Sequence, residues 1–236
     1  MNTDRWTNSK QAFWEDDSCK GFLKQALKPE HVEEFESYYK EFTDRKLTPD
    51  CYSSYAQCSY QYLFYALVRL TKPDQIVEIG VLEGFTSIAM GQALADNGDG
   101  KLCGYDLFEN YPYRNDSYEN VQKRIQANSL NKIVSMKQMD AFEVSSHHKS
   151  TDIVHIDISN DGKIVEKMFM DWKEKAKIII FEGGSKERDN ISWMKNYEKE
   201  TIESALSMIH QENPEGSIYV IENYPSLTIA IKESYL

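Results

Sequence analysis

The sequence predicts an α/β fold: a mostly parallel sheet of seven strands that ends in an antiparallel hairpin and carries a helical cap at its N-terminus. Three observations lead there. Between Phe13 and Arg69 apolar residues recur at helical spacing. Beyond Pro73 short apolar runs alternate with helical stretches, the pattern of stacked βα units. The last two runs are joined only by Glu222-Asn223-Tyr224-Pro225-Ser226, too short for a crossover helix, so that pair must run antiparallel.

The elements follow in order. Pro29 and Pro49 divide the cap into three helical segments. Pro29-Glu30 opens a helix over His31 to Lys46 whose acidic first turn suits the positive end of the helix dipole. Ser53 or Ser54 caps a third helix through Tyr62, Leu63, Tyr65, Ala66, Leu67 and Leu70, which Lys72-Pro73-Asp74 ends. The spacing then predicts strands at Gln75 to Ile79, Lys101 to Tyr105, Ile133 to Gln138, Thr151 to Ile156, Lys177 to Phe181, Ser217 to Ile221 and Leu227 to Lys232. Helices fill the gaps at Thr86 to Ala95, Tyr118 to Ala127, Lys163 to Glu174 and Ile191 to His210. No repeat, low-complexity segment or flexible linker interrupts the chain. Residues 1–72 are therefore read as a cap on the same domain as the core, residues 73–236.

Composition narrows the function. Of 236 residues, 41% are apolar and 12% aromatic, enough for a sizeable core and incompatible with disorder. Thirty-eight acids against 27 bases give a formal charge of −11, which disfavours binding to a phosphate backbone, so no nucleic-acid partner is expected. Cys19, Cys51, Cys58 and Cys103 form no CxxC pair and no zinc-ligand spacing with His147, His148 or His155, and are read as buried thiols. The start of the chain lacks a basic and apolar leader, and no apolar run reaches the roughly 18 residues of a membrane span. A cytoplasmic protein without a membrane partner is the expectation.

The chemistry concentrates at strand ends. Ile76-Val77-Glu78-Ile79-Gly80-Val81-Leu82-Glu83-Gly84-Phe85-Thr86-Ser87 is a buried strand running into a glycine turn that opens a helix. Gly80 and Gly84 allow close backbone approach to a ligand, and the helix start offers amide hydrogens to an anionic group. The spacing is G-x-x-x-G rather than the dinucleotide G-x-G-x-x-G, and a purely structural turn fits it as well. Three further strands end in acids, in Gly104-Tyr105-Asp106, Met139-Asp140-Ala141 and Val154-His155-Ile156-Asp157. A lone strand-end aspartate commonly caps a helix, but several in register with a glycine turn mark the edge where open parallel sheets bind ligands.

These residues make the sequence resemble the class I S-adenosylmethionine-dependent methyltransferases. Within that class it is similar to the small O-methyltransferases of the catechol and caffeoyl-CoA type and their antibiotic-tailoring relatives. The likeness runs from about Gln61 to the C-terminus, and Glu78 to Ser87 matches the subgroup motif E-[IL]-G-x-x-x-G-[YF]-[ST]. The resemblance implies a Rossmann-like methyltransferase sheet and S-adenosyl-L-methionine as cofactor. It places Glu78 and Gly80 along the methionine moiety, Gly84 at the cofactor turn and Thr86 against the cofactor carboxylate. Asp106 takes the ribose hydroxyls, Asp140 with Ala141 the adenine edge, and Gln61 and Asp157 complete the cofactor site. The acceptor implied is a hydroxyl of a small molecule, as in natural-product or sugar tailoring. Relatives often dimerise, and the tyrosine-rich cap offers a homodimer interface.

At the catalytic end the pattern departs. Metal-using members hold a divalent ion with an aspartate after the fourth strand and an Asp-Asp or Asp-Asn pair after the fifth. The corresponding stretches here are Asp157-Ile158-Ser159-Asn160-Asp161 and Phe181-Glu182-Gly183-Gly184-Ser185. Asp157 and Glu182 are the candidate ligands for Mg²⁺, while Gly183 contributes no side chain. Without a metal, Asp157 or His155 is the candidate general base, His155 having the alternative of a core residue on its strand. Glu182 and Arg188 make the loop after the fifth strand the candidate acceptor-recognition segment, against a plain polar loop in which Ser185 caps a helix. Tyr52, Tyr55, Tyr60, Tyr62 and Tyr65 either pack the cap or wall the site. Two alternatives to O-methylation stand: an N-methyltransferase or other S-adenosylmethionine-using enzyme on the same fold, and a non-catalytic cofactor-binding protein.

Overall fold

A computed structural model describes residues 27–45, 50–112, 116–213, 216–222 and 225–232. The helical segment expected from Phe13 to Pro29 and the break at Pro49 lie largely outside them. Two helices pack before the sheet, α1 (Pro29–Arg45) and α2 (Tyr60–Thr71), with a 3-10 turn at Ser54–Cys58 between them. The chain continues as β1 (Gln75–Ile79), α3 (Phe85–Asn97), β2 (Lys101–Asp106), α4 (Tyr118–Ala127), β3 (Val134–Gln138), α5 (Ala141–Val144), β4 (Thr151–Ile156), α6 (Gly162–Trp172) and β5 (Ala176–Glu182). Three helices follow, α7 (Lys186–Asp189), α8 (Ser192–Asn196) and α9 (Ile202–Glu212), before β6 (Ser217–Ile221) and β7 (Leu227–Ile231).

The strands form one sheet in the order β3-β2-β1-β4-β5-β7-β6. The first five are mutually parallel, and β7 pairs antiparallel with both β5 and β6. Every strand lies within one residue of its expected bounds at each end.

Both faces are covered, so the central strands are buried along their length: all six residues of β4 are buried. Alternation assigns the faces. Ile76, Leu102, Ile153, Ile178 and Ile229 pack under α1 to α4, whereas Val77, Ile79, Val154, Ile156 and Phe181 pack against α6 and α9. A polar cluster ties the first layer together: Tyr65 donates to Asp96 Oδ2 over 2.8 Å and Arg69 Nη1 to Glu41 Oε1 over 3.3 Å.

Three expectations are corrected. Ser53 caps the 3-10 turn by accepting from the Tyr55 amide, and α2 starts only at Tyr60, because Ser59 takes left-handed angles (φ 56°). The single helix expected from Ile191 to His210 is broken. Glu198 has φ 50°, the Glu200 carbonyl accepts from the Gly162 amide, and the Asp189 carboxylate caps α9 through the amides of Ile202 and Glu203. Cys51, Cys58 and Cys103 are part-buried rather than buried, since each sits on the rim of an apolar cluster; Cys19 lies outside the described residues. Among the described residues no helix is long and apolar enough to cross a membrane.

Candidate active site

The sheet order reverses between β1 and β4, the switch point at whose carboxyl strand ends open parallel sheets bind ligands. The Gly80 amide donates to the Tyr105 carbonyl of β2 at 2.9 Å, and the Asp157 amide donates to the Ile79 carbonyl at 2.8 Å, which sets the loops leaving β1 and β4 side by side. They touch so closely that a Cβ on Gly80 would stand 2.2 Å from the Asp157 carbonyl oxygen, and Gly80 has φ 89°. Glycine is required at this position on both counts.

Asp106 organises the glycine turn. Its Oδ2 accepts from the amides of Val81 at 2.7 Å and Leu82 at 3.0 Å, and Oδ1 accepts from the Phe108 amide at 2.8 Å. Gly84, at φ 91°, then turns the chain into α3. Below the turn Glu78 is fully buried, and its two oxygens accept from the hydroxyls of Thr86 and Ser87. Nδ1 of His155, also fully buried, lies 3.2 Å from Glu78 Oε1. His155 is on the same face of β4 as Ile153, beneath Tyr55 and Phe64, so it is a core residue with polar partners.

From His155 the polar chain continues toward β5. Tyr55 Oη is 3.4 Å from His155 Nε2 and is hydrogen-bonded to Asp157, which is in turn hydrogen-bonded to Glu182. Two carboxyl groups can share a hydrogen bond only if one holds a proton. Burial, then the charge of Glu182, push Asp157 well above the usual carboxylate range, whereas the Tyr55 bond works in the opposite direction. Glu182 Oε1 accepts from Arg188 Nε at 3.0 Å and from Asn160 Nδ2 at 3.3 Å.

The remaining candidates stand apart from this chain. Asp140 is exposed and caps α5 by accepting from the Phe142 amide at 2.9 Å, beside part-buried Ala141. Gln61 is buried on α2, and its Oε1 has no hydrogen-bond partner among the described residues. A buried amide oxygen in that state is an acceptor a polar ligand can satisfy.

The Mg²⁺ expectation is not supported. Among the described residues no three His, Cys, Asp or Glu side chains converge on a point. The two acids that do meet, Asp157 and Glu182, are hydrogen-bonded to each other, and Glu182 Oε1 already carries the Arg188 guanidinium, an arrangement that favours an arginine over a divalent cation.

Two residues named from the sequence find partners that the sequence did not indicate. Nothing in spacing singles out Tyr55 among the neighbouring tyrosines, since what selects it is its approach to β4. Arg188, in the candidate acceptor-recognition segment, is paired with Glu182, six positions away across Gly183 and Gly184.

Comparison with known proteins agrees with the architecture. Residues 77–178 match the family model described as a methyltransferase domain. No curated protein matches the sequence. Among solved structures, the O-methyltransferase TomG from Streptomyces achromogenes, involved in tomaymycin synthesis and crystallised with S-adenosylmethionine, superposes with TM-score 0.59. It is 15% identical, over 99% of this chain and 100% of its own. An O-methyltransferase from Bacillus cereus in complex with S-adenosylhomocysteine gives TM-score 0.58 at 14% identity, over 91% of this chain and 96% of its own. An S-adenosylhomocysteine-bound methyltransferase from Podospora anserina gives TM-score 0.56 at 15% identity, over 92% and 95%. Identities this low carry the fold alone. From β1 into β5, residues 77–178 thus match a methyltransferase-domain model, and the sheet that holds them has the fold of these solved methyltransferases.

Proposed function

We propose that this protein transfers the methyl group of S-adenosylmethionine to a hydroxyl of a small molecule. The observation that carries the reading is the juxtaposition at the β1/β4 switch point of an Asp106-held glycine turn with the Asp157–Glu182 acid pair. The first is a cradle for a nucleoside-bearing cofactor, and the second is a group that can manage an acceptor's proton.

The residues fit the cofactor in kind. Gly80 lets the β1 turn lie against the Asp157 backbone, Gly84 turns the chain into α3, and Gln61 supplies a buried acceptor without a partner among the described residues. Glu78, Thr86, Asp106, Asp140, Ala141 and Asp157 surround the same strand ends. When bound, S-adenosylmethionine supplies a methyl group on a sulfonium, a good leaving group that needs no covalent help from the protein. The chain's own work is positioning, exclusion of water and acceptance of the acceptor's proton. Asp157 and Glu182 act as one acid–base unit: having lost its shared proton, the pair can take the hydroxyl proton as the oxygen attacks. Tyr55 fixes the orientation of Asp157, and Arg188 that of Glu182.

The cap of residues 1–72 belongs to this unit in our reading, because Tyr55 supplies the link between His155 and Asp157. The net charge of −11 favours a small-molecule acceptor over nucleic acid. The test is calorimetric titration of S-adenosylhomocysteine into wild-type protein and Asp106→Ala. Saturable binding that weakens by about tenfold or more in the variant is expected; equal affinities would remove Asp106 from the site.

A further inference from the structure

We propose that Arg188 is the resident cation of the acceptor-side acid pair, and that its guanidinium closes Asp157 and Glu182 to divalent metal ions. The claim goes beyond methyl transfer and does not depend on it.

The first support is how tightly the chain builds the pair. After β5, Gly183 and Gly184 have φ 108° and 106°. A Cβ at Gly183 would stand 2.2 Å from Ile202 Cδ1, and one at Gly184 would stand 2.2 Å from Thr228 Oγ1. Only glycines allow so sharp a return. The turn is pinned to β7 and the residue before it: the Gly183 amide donates to the Ser226 carbonyl at 2.7 Å, and Thr228 Oγ1 donates to the Gly183 carbonyl at 2.8 Å. Ser185 Oγ then accepts from the Arg188 amide at 3.2 Å, and Asp189 is fastened to the amides that start α9. Arg188 is thus delivered to Glu182 by a fixed segment, and both side chains are largely buried, 11% and 12% exposed.

The second support is the bonding of Glu182. Its Oε1 accepts from Arg188 Nε and Asn160 Nδ2, and the carboxyl also shares a hydrogen bond with Asp157. A divalent ion would have to compete with Arg188 and Asn160 for the Glu182 carboxylate and sit against a fixed positive charge, and Mg²⁺ also demands near-octahedral oxygen geometry. A buried carboxylate without a cation is costly, so a site that holds its own arginine has no need of a metal for charge balance.

The test is Mn²⁺ binding to the full chain, read from the electron paramagnetic resonance of free Mn²⁺, for wild type, Glu182→Gln, Arg188→Met, Arg188→Lys and Arg188→Met/Glu182→Gln. Methionine keeps the apolar stem and lysine keeps the charge. Arg188→Met is expected to bind Mn²⁺ about tenfold or more tighter than wild type, with Glu182→Gln abolishing the gain and Arg188→Lys staying close to wild type. Wild-type binding of Mn²⁺ that the single change Glu182→Gln abolishes would overturn the proposal, whether or not the Arg188 variants fold. So would equal affinities in wild type and a folded Arg188→Met. S-adenosylhomocysteine titration of the same samples reports on the methyl-transfer reading separately, so failure of one is not failure of the other.

Discussion

Tyr55 Oη stands 3.4 Å from Nε2 of His155, a contact between residues one hundred positions apart that joins the segment before α2 to the centre of the sheet. The hydroxyl can donate to only one of His155 and Asp157, so to bond both it must accept from the other. Tyr55→Phe keeps the ring packing against Tyr60 and Phe64 and removes only this branch point. The cost in stability is expected to be about 1–2 kcal/mol in thermal or denaturant unfolding. Turnover should fall while S-adenosylhomocysteine affinity holds, a split that a loss of packing would not produce.

The acid pair dictates the pH dependence. The charge of Glu182 raises Asp157, and the bond from Tyr55 lowers it. A base must be deprotonated to act, so the rate should climb with pH through a limb lying well above the ordinary carboxylate range. Glu182→Gln removes the negative neighbour and should move that limb to lower pH, whereas Tyr55→Phe should move it to higher pH. A pH–rate profile of each variant measures both shifts; limbs that coincide with wild type would detach the pair from proton transfer.

Gly80→Ala should damage fold and site together. The new methyl group meets the Asp157 carbonyl, and alanine resists φ 89°. A loss of about 2 kcal/mol or more is expected, a fall in Tm of roughly 4–8 °C at this chain length. Affinity for S-adenosylhomocysteine should weaken with it, since relief of the clash separates the two strand-end loops. Gly98→Ala, where a Cβ meets nothing within 4 Å, serves as the control for left-handed strain alone.

Asp152 is a structural anchor remote from the chemistry. Its Oδ2 accepts from the amides of Asp74 at 2.8 Å and Gln75 at 2.9 Å, while Oδ1 pairs with Lys177 Nζ at 2.6 Å, fastening the start of β1 to β4 and β5. Burial pushes this carboxyl up, but the Lys177 and backbone bonds outweigh it and hold Asp152 below the usual range. A depressed folded-state pKa stabilises above the unfolded value of about 3.9 and is lost as pH falls through the folded value. Asp152→Asn should therefore cost roughly 2 kcal/mol near neutrality and progressively less below about pH 4. Unfolding curves at neutral and acidic pH measure the difference.

How much was legible in the chain depended on the range of the interaction. The strands could be read because both faces of the sheet are covered, leaving runs such as Thr151 to Ile156 wholly buried. The glycine turn could be read because Gly80 and Gly84 meet local backbone demands that no other residue satisfies. The helix expected across Ile191 to His210 failed because its break depends on Asp189 reaching the amides of Ile202 and Glu203, a tertiary contact invisible to periodicity. Tyr55 and the Arg188–Glu182 pair were hidden for the same reason: each matters through what it meets across the fold. Asp106 shows a subtler gap, since a strand-end acid announces a ligand site without announcing that it first binds the amides of Val81 and Leu82.

Release of S-adenosylhomocysteine from S-adenosylmethionine by the full chain, across a panel of small-molecule phenols, alcohols and amines, decides whether the protein is an O-methyltransferase. Turnover with at least one hydroxyl acceptor and mass-spectrometric detection of its methyl ether are expected, with activity greatly reduced in Asp157→Asn. Cofactor binding without release of S-adenosylhomocysteine for any acceptor, or methylation confined to the amines, would contradict O-methylation.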